Sequence, residues 1–462
     1  MKLILQLLIA GHCIVPVLSV QAASPVLLTT FANPAPEADD NFSGAVAALG
    51  SDCVLLGAPG EGPANTGAVY LFRTNGVLLK TIANPNPSYV YRLGPAFDGD
   101  WFGSAVASVG TDRVFIGAPY EGPYFAGAAY LFSTNGTLLT AISSPAGIIS
   151  GDWFGTSLAV LGDDRLIVGA PDHAIDEETG VGYGVAYLFS TNGALLATFE
   201  NPNPDPQHLR LGFSVAALGP DRVLLGSQYG PAYLFDTNGT LLMTFTNPVA
   251  GSGYSVAAVG NDQVIVGSPN HEVAYRFDTN GILLTTFANP TPANNDGFGI
   301  RIAVLQNDRV VIGCRYDDIG ATNSGAAYVF STSGTLLNAI TNPTPAVGDG
   351  FGARVAALGN DRVIIGAMFD DTQRAQNAGT AYLFRVPPAP APPPSLSIRR
   401  TMTNMVVISW PAPSTGFVLE QNTNRLGSAN WSNVTATAND NGTNRFIIVS
   451  PAGNRFYRLF KP

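Results

Sequence analysis

Asp349-Gly350-Phe351-Gly352-Ala353-Arg354-Val355-Ala356-Ala357-Leu358-Gly359-Asn360-Asp361-Arg362-Val363-Ile364-Ile365-Gly366 is the stretch on which the fold turns. A Phe-Gly entry leads into a strand of small apolar residues suited to close packing. A short Gly-Asn-Asp turn then feeds a second apolar strand that stops at Gly366. The unit recurs. Its entry returns as Asp100-Trp101-Phe102-Gly103, Asp152-Trp153-Phe154-Gly155 and Asp296-Gly297-Phe298-Gly299, with Asp40-Asn41-Phe42-Ser43 an altered copy. The terminal Gly of the second strand returns at Gly57, Gly117, Gly169, Gly226, Gly267 and Gly313. A third landmark, a Tyr-x-Phe strand, begins at Tyr70, Tyr130, Tyr187, Tyr233, Tyr275, Tyr328 and Tyr382. Seven copies of each of the last two landmarks set the repeat number.

Working outward, each Tyr-x-Phe strand runs into a turn such as Thr134-Asn135-Gly136 and then a strand such as Leu138-Leu139-Thr140. Asn-Gly between apolar runs predicts a type I′ hairpin, whose two central residues both need positive φ. Four strands per repeat predict an all-β, seven-bladed β-propeller. The ends support closure. The seventh repeat stops at Tyr382-Leu383-Phe384 without a fourth strand, whereas an orphan strand, Val26 to Phe31, precedes the first. Adding that strand to the last blade leaves no open sheet edge, and the propeller is expected to be monomeric.

Composition agrees. Hydrophobic residues make up 46% and charged residues 12%, with 51 Gly and 34 Pro, a turn-rich mixture poor in helix formers. A net charge of −10 with only three lysines excludes nucleic acid and anionic membranes as partners, since both need a basic surface. Residues 1–23 read as a signal peptide: Lys2, an apolar run from Leu3 to Ala10, and a small-residue cleavage site near Ala22. Cys13 follows His12, where a lipid-anchored cysteine needs a small residue. No later segment is apolar enough to span a bilayer. The protein is therefore expected outside the cell, secreted or at the cell surface. Cys53 and Cys314 sit at different places in non-neighbouring repeats and are expected as free, buried thiols. The expected organisation is a propeller over 24–386, a Pro-rich linker over 387–395 and a small β-sandwich-like domain over 396–462. Trp410, Trp431 and Phe456 supply the core of that domain.

At its Phe-Gly entries and at Gly57-Ala58-Pro59, Gly117-Ala118-Pro119 and Gly169-Ala170-Pro171, the chain resembles the FG-GAP family, which includes the integrin α-subunit head. The resemblance spans residues 26–386. It implies a propeller that binds extracellular partners. Members that bind calcium carry an Asp-x-Asp-x-Asp-Gly loop between the first two strands. Here that turn is as short as Gly162-Asp163-Asp164, too short to supply six or seven oxygen ligands. No cofactor is expected, and calcium does not carry over. The fourth and fifth repeats depart further, with Leu211-Gly212 and Ser252-Gly253 in place of Phe-Gly.

The loops entering the first strand and joining the second to the third emerge on one face. They are long, variable and acidic, and this face is the candidate site. Glu61, Asp98, Asp100, Glu121, Asp172, Asp317, Asp318, Asp370 and Asp371 are its candidate ligand-binding residues. Tyr120, Tyr124, Trp101, Trp153, Tyr183 and Phe369 fall among them. A scaffold reading stands beside each. The Asp before Phe-Gly recurs in five repeats and suits a turn cap. The pairs Asp317-Asp318 and Asp370-Asp371 suit solvated charge as well as a cation or ligand, and Trp101 and Trp153 suit packing between repeats. Catalysis is not expected. Only His173, His208 and His271 follow the signal, and no Gly-x-Ser-x-Gly, phosphate-binding loop or CxxC occurs. A binding or adhesion protein for an extracellular protein or glycan is the leading expectation. A structural module and a carbohydrate-active enzyme with paired carboxylates are the alternatives.

Overall fold

The computed structural model describes residues 23–88, 99–147, 151–174, 182–205, 209–246, 253–292, 295–306, 308–371 and 375–388, and strand segments between 396 and 460. The expected signal segment, most of the Pro-rich stretch, Cys13, Asp98 and His208 lie outside these residues. Contacts divide the chain into a unit of residues 23–389 and one holding residues 390–462.

The first unit contains seven four-stranded antiparallel sheets. Sheet one runs Ala45–Leu49, Cys53–Ala58, Ala68–Arg73 and Leu78–Ala83. Sheets two to six begin at Ala105, Ser157, Leu209, Ser255 and Phe298 and repeat that order. Sheet seven takes Arg354–Leu358, Arg362–Ala367 and Thr380–Arg385 from its own repeat. Its fourth strand is Val26–Ala32, with Phe31 opposite Ala381 and Ala32 opposite Thr380. Each sheet's first strand contacts the first strand of the next, and that of sheet seven contacts that of sheet one. Among the described residues no helix is long and apolar enough to cross a membrane.

The core lies between the sheets. Each second strand is buried on both faces, which is why Val54-Leu55-Leu56 is a continuous apolar run and does not alternate. Leu55 joins the cluster shared with sheet two, whereas Val54 and Leu56 join the cluster shared with sheet seven. The latter also holds Phe31, Phe42, Leu358 and Leu383, so the seam is as apolar as any other junction. The entry phenylalanine, present in five of the seven repeats, is a wedge: Phe102 has no solvent exposure and meets Tyr130 and Phe132 at centroid distances of 5.9 and 6.1 Å. Burying such a ring stabilises by about 1.5–3 kcal/mol.

One contact fixes how closely sheets approach. A Cβ on Gly117, at the end of a second strand, would lie 2.1 Å from the carbonyl oxygen of Gly155 in the next sheet's Phe-Gly entry. Gly155 itself has φ of 95°, a conformation that side chains rarely adopt. The same approach joins Gly57 to Gly103, Gly169 to Gly212, Gly226 to Gly253, Gly267 to Gly299 and Gly313 to Gly352, each within 2.2 Å. At the seam Gly366 faces Ser43, and the gap opens to 2.8 Å.

The outer hairpin differs from its sequence reading. Asn135 is not among the positive-φ residues, whereas Gly136 has φ of 88°. Ser133 donates to the Thr137 carbonyl at 2.9 Å across a three-residue loop, and Asn135 Oδ1 accepts the Thr137 amide at 3.0 Å. Such a loop needs αL geometry only at its last residue, so Asn-Gly marks a hairpin here without forming a type I′ turn. The turn from first to second strand is three residues in every sheet.

In the second unit, Ser397–Arg400, Val406–Pro411, Asn444–Val449 and Asn439–Asp440 form one sheet; Val418–Asn422, Ser432–Asn433 and Phe456–Phe460 form another. Ile408, Trp410, Leu419, Ile447 and Leu459 share one core. Trp431 is half-buried, with the Arg458 guanidinium 4.2 Å from its ring centroid. The side chain of Phe456 lies outside the described set.

Gly117→Ala is expected to lower stability by about 3 kcal/mol or more in urea unfolding, because a backbone carbonyl must move. Phe31→Ala should cost about 3–5 kcal/mol. Gly122→Asn, in open space but at φ of 79° and ψ of −179°, a region essentially confined to glycine, should cost about 1–3 kcal/mol through backbone strain alone. An unchanged midpoint for Gly117→Ala would refute the close approach.

Candidate functional site

The acids of the entry segments and of the loops after the second strands sit in two sets of largely buried hydrogen bonds. In the first, the Asp of each Phe-Gly entry is tied to the polar residue ahead of Pro where the preceding sheet's outer strand ends. Asn33 donates Nδ2 to Asp40 at 2.7 Å, Asn84 to Asp100 at 2.7 Å, Asn289 to Asp296 at 2.9 Å and Asn342 to Asp349 at 2.7 Å. Ser144 does the same for Asp152 at 2.8 Å. These carboxylates are 0–3% exposed. They also accept backbone amides, as Asp40 does from Glu37 and Asp349 from Ala346, both at 2.7 Å. The latch therefore fastens the exit of one sheet to the entry of the next.

In the second set, the Tyr of Tyr-x-Phe donates its hydroxyl to an acid in the loop after the second strand. Tyr70 reaches Glu61 at 2.5 Å, Tyr328 reaches Asp317 at 2.5 Å and Tyr382 reaches Asp370 at 3.0 Å; Tyr130 pairs likewise with Glu121. In these four sheets the base of the loop is thereby pinned to the rigid third strand.

Of the candidate residues, Asp100, Glu121, Asp317 and Asp370 are buried and Glu61 half-buried, each in one of these bonds. Asp172, 9% exposed, pairs with Arg210 Nε at 3.2 Å at the junction where sheet four lacks the entry Asp. Asp318 and Asp371 are exposed, and each caps its own loop by accepting a backbone amide at 2.8 Å, from Asn323 and Asn377. The eight described acids are spread over five sheets and do not share a pocket. The latch partners escaped the sequence reading, although the signal was present: Asn-Pro recurs seven residues before Asp40, Asp296 and Asp349.

Burial, more than any neighbour, sets the acidities. It raises Glu61 to about 7 and Asp349 to about 6, with Asp370 and Asp371 adding to the second; Glu121 and Asp370 shift the same way. Glu121 Oε2 is buried without a hydrogen-bond partner and borders a cavity of about 420 Å³ lined by Asn86, Pro123, Tyr130, Ile142 and Ser144. Glu272, Asp296 and Cys314 bring their ligand-type atoms within 4.8 Å of one another. Glu272 already accepts the amides of Gly297 and Phe298, and Asn289 Nδ2 donates to both carboxylates. Burial and these acids push the Cys314 thiol up, so it stays protonated. Cys53 and Cys314 are both free.

Trp101 and Trp153 link sheets. Tyr120 stands edge-on to both, at 5.4 and 5.6 Å, and the Arg210 guanidinium lies 4.6 Å above Trp153. Both tryptophans have positive φ, 55° and 54°, where the equivalent residues Gly297 and Gly350 are unstrained.

The described residues contain a different break in the repeat. The third position after the entry Phe, or after Leu211 and Ser252 where these replace it, is Ala45, Ala105, Ser157, Ser214 and Ser255 in sheets one to five, but Arg301 and Arg354 in sheets six and seven. Arg315 stands where sheets one to three have the Pro of Gly-Ala-Pro.

The FG-GAP repeat family model matches residues 291–330 and 337–384, which cover most of sheets six and seven. No curated protein sequence matches the chain. Among solved structures it is similar to the WD40 beta propeller domain of Doa1, at 15% identity and a TM-score of 0.51, over 78% of this chain and 96% of that one. It is also similar to Chaetomium thermophilum Raptor, at 12% identity and a TM-score of 0.54, over 80% of this chain and 30% of that one. At such identities the likeness carries the fold alone, and that fold is a β-propeller.

Raised carboxylate pKa values fix the sign of a pH dependence. The folded state holds protons that the unfolded chain releases near 4.5 and 3.8. This stabilisation is complete below those values and lost as pH rises through about 6 and 7. The melting midpoint should therefore be higher at pH 5 than at pH 8. Glu61→Gln should flatten the part of the slope between pH 4.5 and 7 in a differential scanning series. Asn342→Ala, which strips a buried carboxylate of its partner, should cost about 1–3 kcal/mol at pH 8. Asp318→Ala should cost less than about 1 kcal/mol.

Proposed function

We propose that this FG-GAP-repeat β-propeller is an exported, non-catalytic binding module whose seven blades, the last completed by the N-terminal strand, present one loop face to a protein partner. Residues 396–462 then form a small sandwich-like domain behind a Pro-rich spacer. One observation carries the reading. Large apolar side chains stand exposed on loops whose bases are pinned: Tyr124 is 67% exposed, Tyr316 39% and Val347 76%. All three follow a second strand or precede an entry, so they share the loop face. Exposed tyrosines on a rigid frame bury much area on binding and lose little conformational entropy. The acids serve this function indirectly, by holding the loops; Asp318 and Asp371 are left to contribute at the rim. Carboxylates spent in latches are poorly placed for paired acid–base chemistry, which favours binding over catalysis.

The test is to immobilise residues 24–462 and titrate extracellular matrix proteins and a panel of oligosaccharides. A saturable protein ligand should lose at least tenfold in affinity to the double variant Tyr124→Ser, Tyr316→Ser, with the melting midpoint unchanged. Binding only to oligosaccharides would move the partner to a glycan. No ligand in either panel would favour a structural module, and release of reducing sugar from a polysaccharide would overturn the non-catalytic reading.

A further inference from the structure

We propose that Arg301, Arg315 and Arg354, carried by blades six and seven, form a carboxylate-binding site at the loop-side mouth of the central channel, and that it receives an acidic side chain of the protein partner. The proposal rests on the binding reading above and names the chemistry of one contact within it. Arg301 and Arg354 lie at equivalent positions on adjacent first strands, which touch each other. Arg315 follows the second strand of blade six, on the same face. In a chain of net charge −10, these three guanidiniums have no ion pair among the described residues.

Their hydrogen bonds to protein are few. Arg301 Nη1 donates to the Ile300 carbonyl at 2.8 Å. Arg354 donates to the carbonyls of Gly44 at 2.6 Å and Ala353 at 3.0 Å. Arg315 Nε is shut off from solvent and has no partner. The remaining N–H groups have no protein acceptor among the described residues, and aromatic rings flank Arg301 and Arg315. The Arg301 guanidinium lies 5.9 Å from the Tyr254 ring, and that of Arg315 lies 4.2 and 5.4 Å from Tyr316 and Phe369. Phe213 packs on Tyr254 at 4.7 Å and extends the wall.

The charges sense one another. Burial, with Arg301 and Arg315 adding to it, lowers Arg354 to about 9; burial and Arg315 act on Arg301 in the same direction. Arg354 remains charged at neutral pH. Like charges held together without a counter-charge make a site that an oxyanion relieves, and guanidinium matches a planar carboxylate with paired N–H donors. The half-buried position admits a slim group, and the overall negative charge opposes an extended polyanion. A single Asp or Glu side chain on a protruding loop satisfies both limits.

The natural control comes from the repeat. Blades three and five carry Ser at the Arg301 position, and Ser157 and Ser255 donate to the carbonyls of Gly212 and Gly299 in the next blade at 2.6 and 2.7 Å. Arg301→Ser therefore preserves a solution this fold already uses, while removing one guanidinium. Its melting midpoint in chloride should equal or exceed the parent's. Residues 24–462 are titrated by calorimetry and thermal shift with an acetylated, amidated Gly-Asp-Gly peptide and with glucuronate, at constant ionic strength set by chloride. The peptide should raise the parent's midpoint saturably, and Arg301→Ser and Arg315→Gln should each lose at least tenfold in apparent affinity. No saturable shift in the parent, or one unchanged in both variants, would overturn the site. A tenfold preference for glucuronate would overturn the protein source and assign the site to an acidic sugar. Tyr124→Ser alone, at a loop tip in blade two away from the three arginines, should leave peptide binding within threefold, so failure of the carboxylate site and failure of the loop-tip interface are read separately.

Discussion

The approach of a glycine Cα to the next sheet's Phe-Gly carbonyl is the constraint from which the rest of the propeller follows. With a Cβ forbidden at 2.0–2.2 Å, adjacent sheets close to a distance at which second strands are buried on both faces. That distance makes continuous apolar runs necessary and gives the entry phenylalanines their pocket. Glycine at these positions loses more chain entropy on folding than alanine would, by about 0.5–1 kcal/mol each. A fully buried entry phenylalanine at five of the junctions, and the buried Leu211 at a sixth, more than offset that cost. The seam obeys the same geometry with a looser contact: Ser43 takes the place of a glycine, and its hydroxyl donates to the Thr380 carbonyl at 2.8 Å.

The tight spacing also explains where the acids went. Chain entering a sheet at close quarters has amides that water cannot reach, and a buried carboxylate is an acceptor for several of them at once. Asp40 and Asp349 each take an Asn side chain and a backbone amide in this way. Desolvation then raises their pKa, so the fold holds acids that resist ionising in exchange for fixed loops. Blade four reaches the same end by another route. It has no entry Asp, and Arg210 instead bridges Asp172 and the Trp153 face.

Recurring Gly and Tyr residues made the sheet order and the closing strand legible, because each has a steric role that repeats once per sheet. The turn type was not legible, since Asn-Gly serves both a two-residue loop and a three-residue loop ending in αL glycine. Nor was the burial of Asp100 or Glu121. A count of acids in variable loops cannot separate a carboxylate facing water from one facing an Asn amide or a tyrosine hydroxyl. The Asn-Pro spacing held that information, but only a known strand order shows that Asn33, on the strand completing sheet seven, stands beside the entry of sheet one.

A ring of near-identical blades has a consequence for function. Residues that repeat satisfy the same local packing seven times over, and a surface made only of them offers a partner no preferred orientation. Orientation has to come from positions where the repeat is broken while the backbone is kept. Small residues line the channel-side position in five blades, so a long side chain there is not demanded by packing. Arg301 and Arg354 occupy it in neighbouring blades, and Arg315 replaces a proline beside them. Three such breaks on one side of the channel, all cationic in a chain poor in cations, single out one sector of an otherwise repetitive face. A partner that places its carboxylate there is fixed in rotation about the channel axis. Its neutral contacts then fall against the tyrosine tips, which the latches hold still.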